Sequence, residues 1–163
     1  MAEDEHVDKQ ENSEKSTPAI TSPQKIYIKD VSFESPNTPK IFTEEWNPKL
    51  EVAVDHSAAL IADDTYDVVL KITATVSVAE HTAFLAEVHQ AGIFILKGLE
   101  PNILQRRLNV YCINTLFPYA SANLDELVSK GGFPQLLLQP INFAAQYNSR
   151  LQQKPANAAD AIQ

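Results

Sequence analysis

The stretch DTYDVVLKITATVSVAEHTAFLAEVHQAGIFILKG, Asp64–Gly98, decides the fold. In its first half Val68, Leu70, Ile72, Ala74, Val76 and Val78 alternate with Lys71, Thr73, Thr75 and Ser77, the period-two pattern of a strand buried on one face. After a short turn at Ala79-Glu80-His81 the pattern resumes, with Phe84, Ala86 and Val88 on one side and Leu85, Glu87 and His89 on the other, before the apolar run Ile93–Leu96. A long hairpin with one apolar face is unstable alone in water. The rest of the chain must cover that face.

Two further strands precede the hairpin. Over Gln24–Glu34, Tyr27, Val31 and Phe33 alternate with Ile28, Asp30, Ser32 and Glu34, so Asp30 and Glu34 emerge together if Val31 and Phe33 point inward. Leu50, Val52 and Val54 alternate with Glu51, Ala53 and Asp55 in the next strand, which ends in a polar turn around Ala62-Asp63-Asp64. Between these two strands, Pro36, Pro39 and Pro48 punctuate a loop over Ser35–Lys49 that carries Ile41, Phe42 and Trp46.

Beyond Gly98 the period changes. Leu104, Leu108, Tyr111 or Cys112, and Leu116 recur at helical spacing, Pro101 suits a first helical turn, and Pro118 predicts a kink near Leu116. Leu124, Leu127 and Val128 resume the stripe until Gly131-Gly132 ends it. A second apolar loop, Phe133–Pro140, holds Leu136, Leu137 and Leu138. Asn142 can cap a last helix with Phe143, Tyr147 and Leu151 on one face. The fold class is α+β: a four-stranded antiparallel sheet with helices packed on one face.

The 163 residues and net charge of −8 fit one domain with flexible ends. Met1–Ser22, with Glu3, Asp4, Glu5, Asp8, Glu11 and Glu14 and almost nothing apolar, predicts a disordered acidic tail over 1–22. The domain then spans 23–152, and the alanine-rich residues 153–163 form a flexible C-terminal tail. Scattered Lys and Arg argue against nucleic acid as a partner, whereas a basic partner suits the charge. Cys112 is the single cysteine, so no intramolecular disulfide forms and a reducing cytosol is expected. No apolar signal run opens the chain and no segment reaches bilayer length, so a soluble intracellular protein without direct membrane insertion is expected.

Chemistry is sparse. His6, His56, His81 and His89 lack a zinc spacing, and Glu87 with His89 supplies too few ligands for a site. Cys112 lies in the helical apolar stripe with no base beside it. The four glycines make neither a phosphate cradle nor a dinucleotide fingerprint. Adjacent Asp63 and Asp64 read as turn formers. No catalytic residue, metal or cofactor is assigned, and the chain is not read as an enzyme.

Two surfaces remain. On the open sheet face Asp30, Glu34, Leu85 and Glu87 come together, a solvated face by pattern alone but of the mixed character that protein contacts use. The other surface is apolar and irregular: Ile41, Phe42 and Trp46 in one loop, Leu136 and Leu138 in the second, Phe143 and Tyr147 after it. From the residues alone, these are equally core lids or ligand walls.

Four separated segments carry a family resemblance: Ile26–Asn37 (IYIKDVSFESPN), Ala62–Leu70 (ADDTYDVVL), Thr82–Val88 (TAFLAEV), and Leu116–Ala120 (LFPYA) with Phe133–Leu136 (FPQL). In this order they resemble the bacterial export chaperone family SecB over nearly all of Gln24–Gln152. The resemblance implies a cytoplasmic homotetramer, a dimer of dimers with long helices sandwiched between two sheets. Such an assembly would account for the polar helix side of Gln105, Arg106, Asn109 and Asn114. It implies a holder of unfolded precursor proteins that delivers them to the SecA motor ATPase and hydrolyses no nucleotide itself.

By the same resemblance the motor-binding patch falls on Asp30, Glu34, Leu85 and Glu87, met by a basic zinc-bearing tail of the motor. The client groove falls on Ile41, Phe42, Trp46, Leu50, Val52, Val54, Phe133, Leu136, Leu138, Phe143 and Tyr147. Two alternatives stay open: a SecB-like chaperone dedicated to one partner such as an antitoxin, and a small-molecule-binding α+β domain.

Overall fold

A computed structural model describes residues 17–159, with side chains through Gln153; the first sixteen residues of the acidic tail lie outside the described residues. Strands β1 (Ile20–Glu34), β2 (Lys49–Ala62), β3 (Thr65–Val78) and β4 (His81–Lys97) form one antiparallel sheet in the order β1-β4-β3-β2. The expected hairpin is its centre. All six alternating residues from Val68 to Val78 are buried, and Phe84, Ala86 and Val88 lie on the same face. The apolar run in β4 also alternates, Phe94 and Leu96 pointing in while Ile93 and Ile95 stay half-buried outside.

The first strand is longer than expected: Ile20, Thr21 and Ser22, placed by sequence in the tail, pair with Lys97, Leu96 and Ile95. It also breaks alternation twice, between Pro23 and Lys25 and between Ile28 and Asp30. An extra residue in an antiparallel pair reverses the parity of what precedes it. Hence Tyr27 does not share a face with Val31 and Phe33. It pairs with Ala91 on the outer face, while Ile28 turns inward opposite Gln90. The bulge leaves work for a buried polar group: Gln90, 2% exposed, donates to the Tyr27 carbonyl (2.9 Å) and accepts from Asn123 Nδ2 (2.7 Å), tying the sheet to the helix above it. Pro23 is tolerated because β1 is an edge strand.

The helical layer comprises α1 (Pro101–Arg106), a π-helical segment at Arg107–Tyr111, α2 (Cys112–Lys130) and α3 (Phe143–Ala159). The irregularity therefore sits upstream of Pro118, which is accommodated within α2. Widening the helix at 107–111 resets the stripe, and Leu108, Cys112, Leu116, Ala120, Leu124 and Val128 then bury at steps of four against β3 and β4. Gly132, at φ +86, closes α2 in the left-handed conformation, with Gly132 N–H bonded to the Ser129 carbonyl and Phe133 N–H to that of Val128. Asn142 Oδ1 accepts from Ala145 N–H (2.9 Å), capping α3 as its sequence indicated. The helix continues to Ala159, beyond the expected domain boundary at residue 152.

Candidate functional site: an open apolar groove and a charged sheet face

The two apolar loops meet at one ring. Phe133, at the end of α2, packs against Phe42 (5.0 Å between ring centres), Phe84 (5.0 Å), Trp46 (5.9 Å) and Phe33 (6.3 Å), joining both loops to the sheet. Within this cluster Phe133 and Ile41 are sealed, whereas Phe42 and Trp46 keep 51% and 39% of their surface exposed. Trp46 leads directly into β2, where Leu50 and Val52 stand exposed on the same face as the helices because no helix reaches that edge of the sheet.

There the space stays open. A groove of about 630 Å³ runs between Val52 and Val54 on β2 and Ile141, Ala145, Gln146, Ser149 and Arg150 at α3. Leu136 and Leu138 lie half-buried against the core, and Leu137 points to solvent. Tyr147 is half-buried beside His56, whose Nε2 meets Asn109 Oδ1 at 2.8 Å, in a separate small cavity that shares Gln146 and Arg150 with the groove. Phe143 is buried edge-on to Phe117 at 5.7 Å.

Of the eleven residues named for the groove, Ile41, Phe133 and Phe143 are thus core supports in this conformation, and the others keep exposed or half-exposed surface. Sequence reading missed Ile141, Ala145 and Arg150. The stripe Phe143, Tyr147, Leu151 drew attention to one face of α3, while a second set at steps of four, Ile141, Ala145 and Ser149, faces the groove.

The opposite face of the sheet carries charge. Asp30 stands opposite His89, Ser32 opposite Glu87 and Glu34 opposite Leu85, so all four residues named for the patch share that face. Leu85 is 37% exposed. Glu87 is the best-held carboxylate: His89 Nε2 lies 2.7 Å away, Thr73 Oγ1 donates at 2.9 Å, and Lys71 Nζ sits at 3.5 Å. The His89 and Thr73 hydrogen bonds hold its carboxyl below the usual range. A second knot has Tyr27 Oη (2.7 Å) and Lys29 Nζ (2.8 Å) donating to Asp67. Burial acts to raise the Asp67 carboxyl, but these two partners outweigh it and leave it lowered. Cys112 is fully buried, and burial pushes its thiol up to about 12.

A family model described as preprotein translocase subunit SecB matches residues 13–154. The chain belongs to the SecB family. The family match spans both loops, the whole sheet and most of the helical layer. A solved Mycobacterium tuberculosis SecB-like chaperone, in complex with a ChAD peptide from the HigA1 antitoxin, shares the architecture at a TM-score of 0.62 and 14% identity. That match covers 75% of this chain and 91% of that one. A Streptococcus agalactiae protein of unknown function aligns over 76% of this chain and all of its own at 10% identity, with a TM-score of 0.43. Among the described residues no helix is long and apolar enough to cross a membrane.

Proposed function

We propose that this SecB-family chain is a cytoplasmic export chaperone that holds unfolded precursors in its apolar groove and passes them to the SecA motor ATPase. The observation that carries the reading is the open groove itself, walled by Val52 and Val54 on one side and by Ile141, Ala145, Gln146, Ser149 and Arg150 on the other, together with exposed Phe42, Trp46 and Leu50 on the same side of the fold. Burial of apolar surface contributes about 25 cal/mol per Å² with little directional demand, so such a trough accepts many extended segments. A folded client offers none, and a client that folds quickly withdraws its segments before capture.

The charged sheet face, with Asp30, Glu34, Leu85 and the half-buried Glu87 on the side away from the groove, is the motor's docking surface in this reading. The polar side of the α1–α2 helix is where copies meet in a homotetramer. Holding uses no catalysis, no cofactor and no nucleotide, and the motor takes the client by competing for it.

Light scattering for mass, combined with suppression of aggregation of a slow-folding precursor, tests the reading. A tetramer that keeps the precursor soluble and translocation-competent is expected. A monomer that leaves aggregation unchanged overturns it, and capture of a single dedicated protein instead of many precursors would favour the one-partner alternative.

A further inference from the structure

The segment 134–141, which carries the groove-lining Ile141 at its end, has almost no polar attachment. Among the described residues it makes no backbone–backbone hydrogen bond to the rest of the chain. Its two hydrogen bonds go to one carboxylate on α2: Asp125 Oδ1 accepts from Leu136 N–H at 2.9 Å, and Oδ2 accepts from Gln135 Nε2 at 3.1 Å. Leu136 and Leu138 add only partial burial, and Leu137 between them is 69% exposed. Ile141, at the end of the same segment, lines the groove.

We infer that Asp125 is the positioning residue of the client groove, setting the place of the Phe133–Ile141 wall without touching the client; this rests on the groove reading above. A charge-assisted bond from α2 to a backbone N–H fixes the segment near its middle, between its two ends at α2 and α3. With the bond in place, an incoming extended segment meets a wall already ordered. Without it, each capture must also order the loop, and that cost is subtracted from the affinity. The carboxylate is external to the apolar surface, so it adjusts aperture and leaves apolar selectivity as it is.

The test uses the full chain and a permanently unfolded polypeptide, a globular protein reduced and carboxymethylated at its cysteines. Asp125→Ala should weaken capture about tenfold, the scale of a hydrogen bond to a charged group, and should speed hydrogen exchange at the Leu136 amide. Its thermal midpoint should stay near the parent's, because alanine suits a helical position. Asp125→Asn, which keeps an oxygen for the Leu136 N–H, should restore most of the amide protection and of the affinity. Gln135→Ala combined with Asp125→Ala should cost less than the sum of the two. Unchanged capture by Asp125→Ala with a loosened Leu136 amide overturns the positioning role and leaves the groove reading standing. A parent chain that captures nothing overturns both.

Discussion

Glu34 on β1 stands directly opposite Leu85 on β4, and both side chains leave the sheet on the side away from the helices. Ser32 and Glu87 form the next such pair on that face, so an acidic and an apolar group sit within one cross-strand step. Reversing the charge at Glu87 should therefore disturb the proposed docking surface without reaching the groove. In Glu87→Lys the new ammonium also meets Lys71 and loses the His89 and Thr73 contacts. SecA affinity measured by calorimetry should fall about tenfold, ~1.4 kcal/mol, while suppression of client aggregation stays at the parent level. Unchanged SecA affinity would remove the patch from the interface.

The β3–β4 turn offers a cleaner stability experiment. Ala79 (φ 47) and Glu80 (φ 67) both hold left-handed backbone where glycine or asparagine is the usual occupant. Glu80→Gly should raise the unfolding free energy by about 0.5–1 kcal/mol, since relief of the left-handed strain exceeds the entropy glycine adds to the unfolded chain. A urea melt reads this directly. A lower midpoint with an unchanged slope would mean that the turn carries no such strain.

The sheet was legible in the sequence because both faces of its two central strands differ sharply in polarity. Val68 to Val78 and Phe84 to Val88 settle which residues share the buried face, although the register shift between Val76 and Ser77 beside the turn is not marked in the pattern. The edge strand was less legible, because bulges depend on pairing partners: nothing local marks Lys29 as the extra residue that sends Tyr27 outward and Ile28 inward. The helix shows the same limit. Pro118 is a strong local signal for a break, yet α2 continues through it, and the departure from α geometry at Arg107–Tyr111 has no breaker residue to announce it. For the groove, pattern marks Trp46 as a large apolar residue in a loop and Val52 as one side of a strand, and only the family resemblance joins them to one surface. Arg150 and Asp125 could not be named, because their roles come from where two loops and two helices meet.

Acid should weaken the outer face at Asp67. Its carboxyl is lowered in the folded protein, so the stabilisation is fully present above the ordinary aspartate range near pH 4 and is lost as pH falls through the lowered folded value. Tyr27→Phe removes one of the two bonds that lower it. The variant should be less stable than the parent by roughly 0.5–1 kcal/mol at pH 7, a modest figure for a partly solvated bond. The gap should narrow progressively as pH falls below about 4 and through the lowered value at which folded Asp67 takes up its proton. Denaturant melts at a series of pH values follow it, and a gap that is constant down to pH 2 would mean that what the hydroxyl contributes does not depend on the charge of Asp67.

The groove makes the most direct functional prediction. Trp46 keeps 39% of its surface exposed while its ring packs against Phe133, so in the proposed function the exposed part would meet a client and the packed part would hold its orientation. Leu136 presents a smaller half-buried surface on the facing loop. A client that covers about 60–100 Å² of the indole gains ~1.5–2.5 kcal/mol at 25 cal/mol per Å². Trp46→Ala should accordingly weaken capture of an unfolded precursor by about tenfold or more, and Leu136→Ala by a smaller factor. The sheet and the helical stripe contain neither residue, so mass by light scattering should match the parent in both variants. Titration of an unfolded precursor with each variant measures the loss. If both protect it as well as the parent does, precursors do not bind along β2 and its flanking loops, and the exposed aromatic side chains at Phe42 and Trp46 need another occupant.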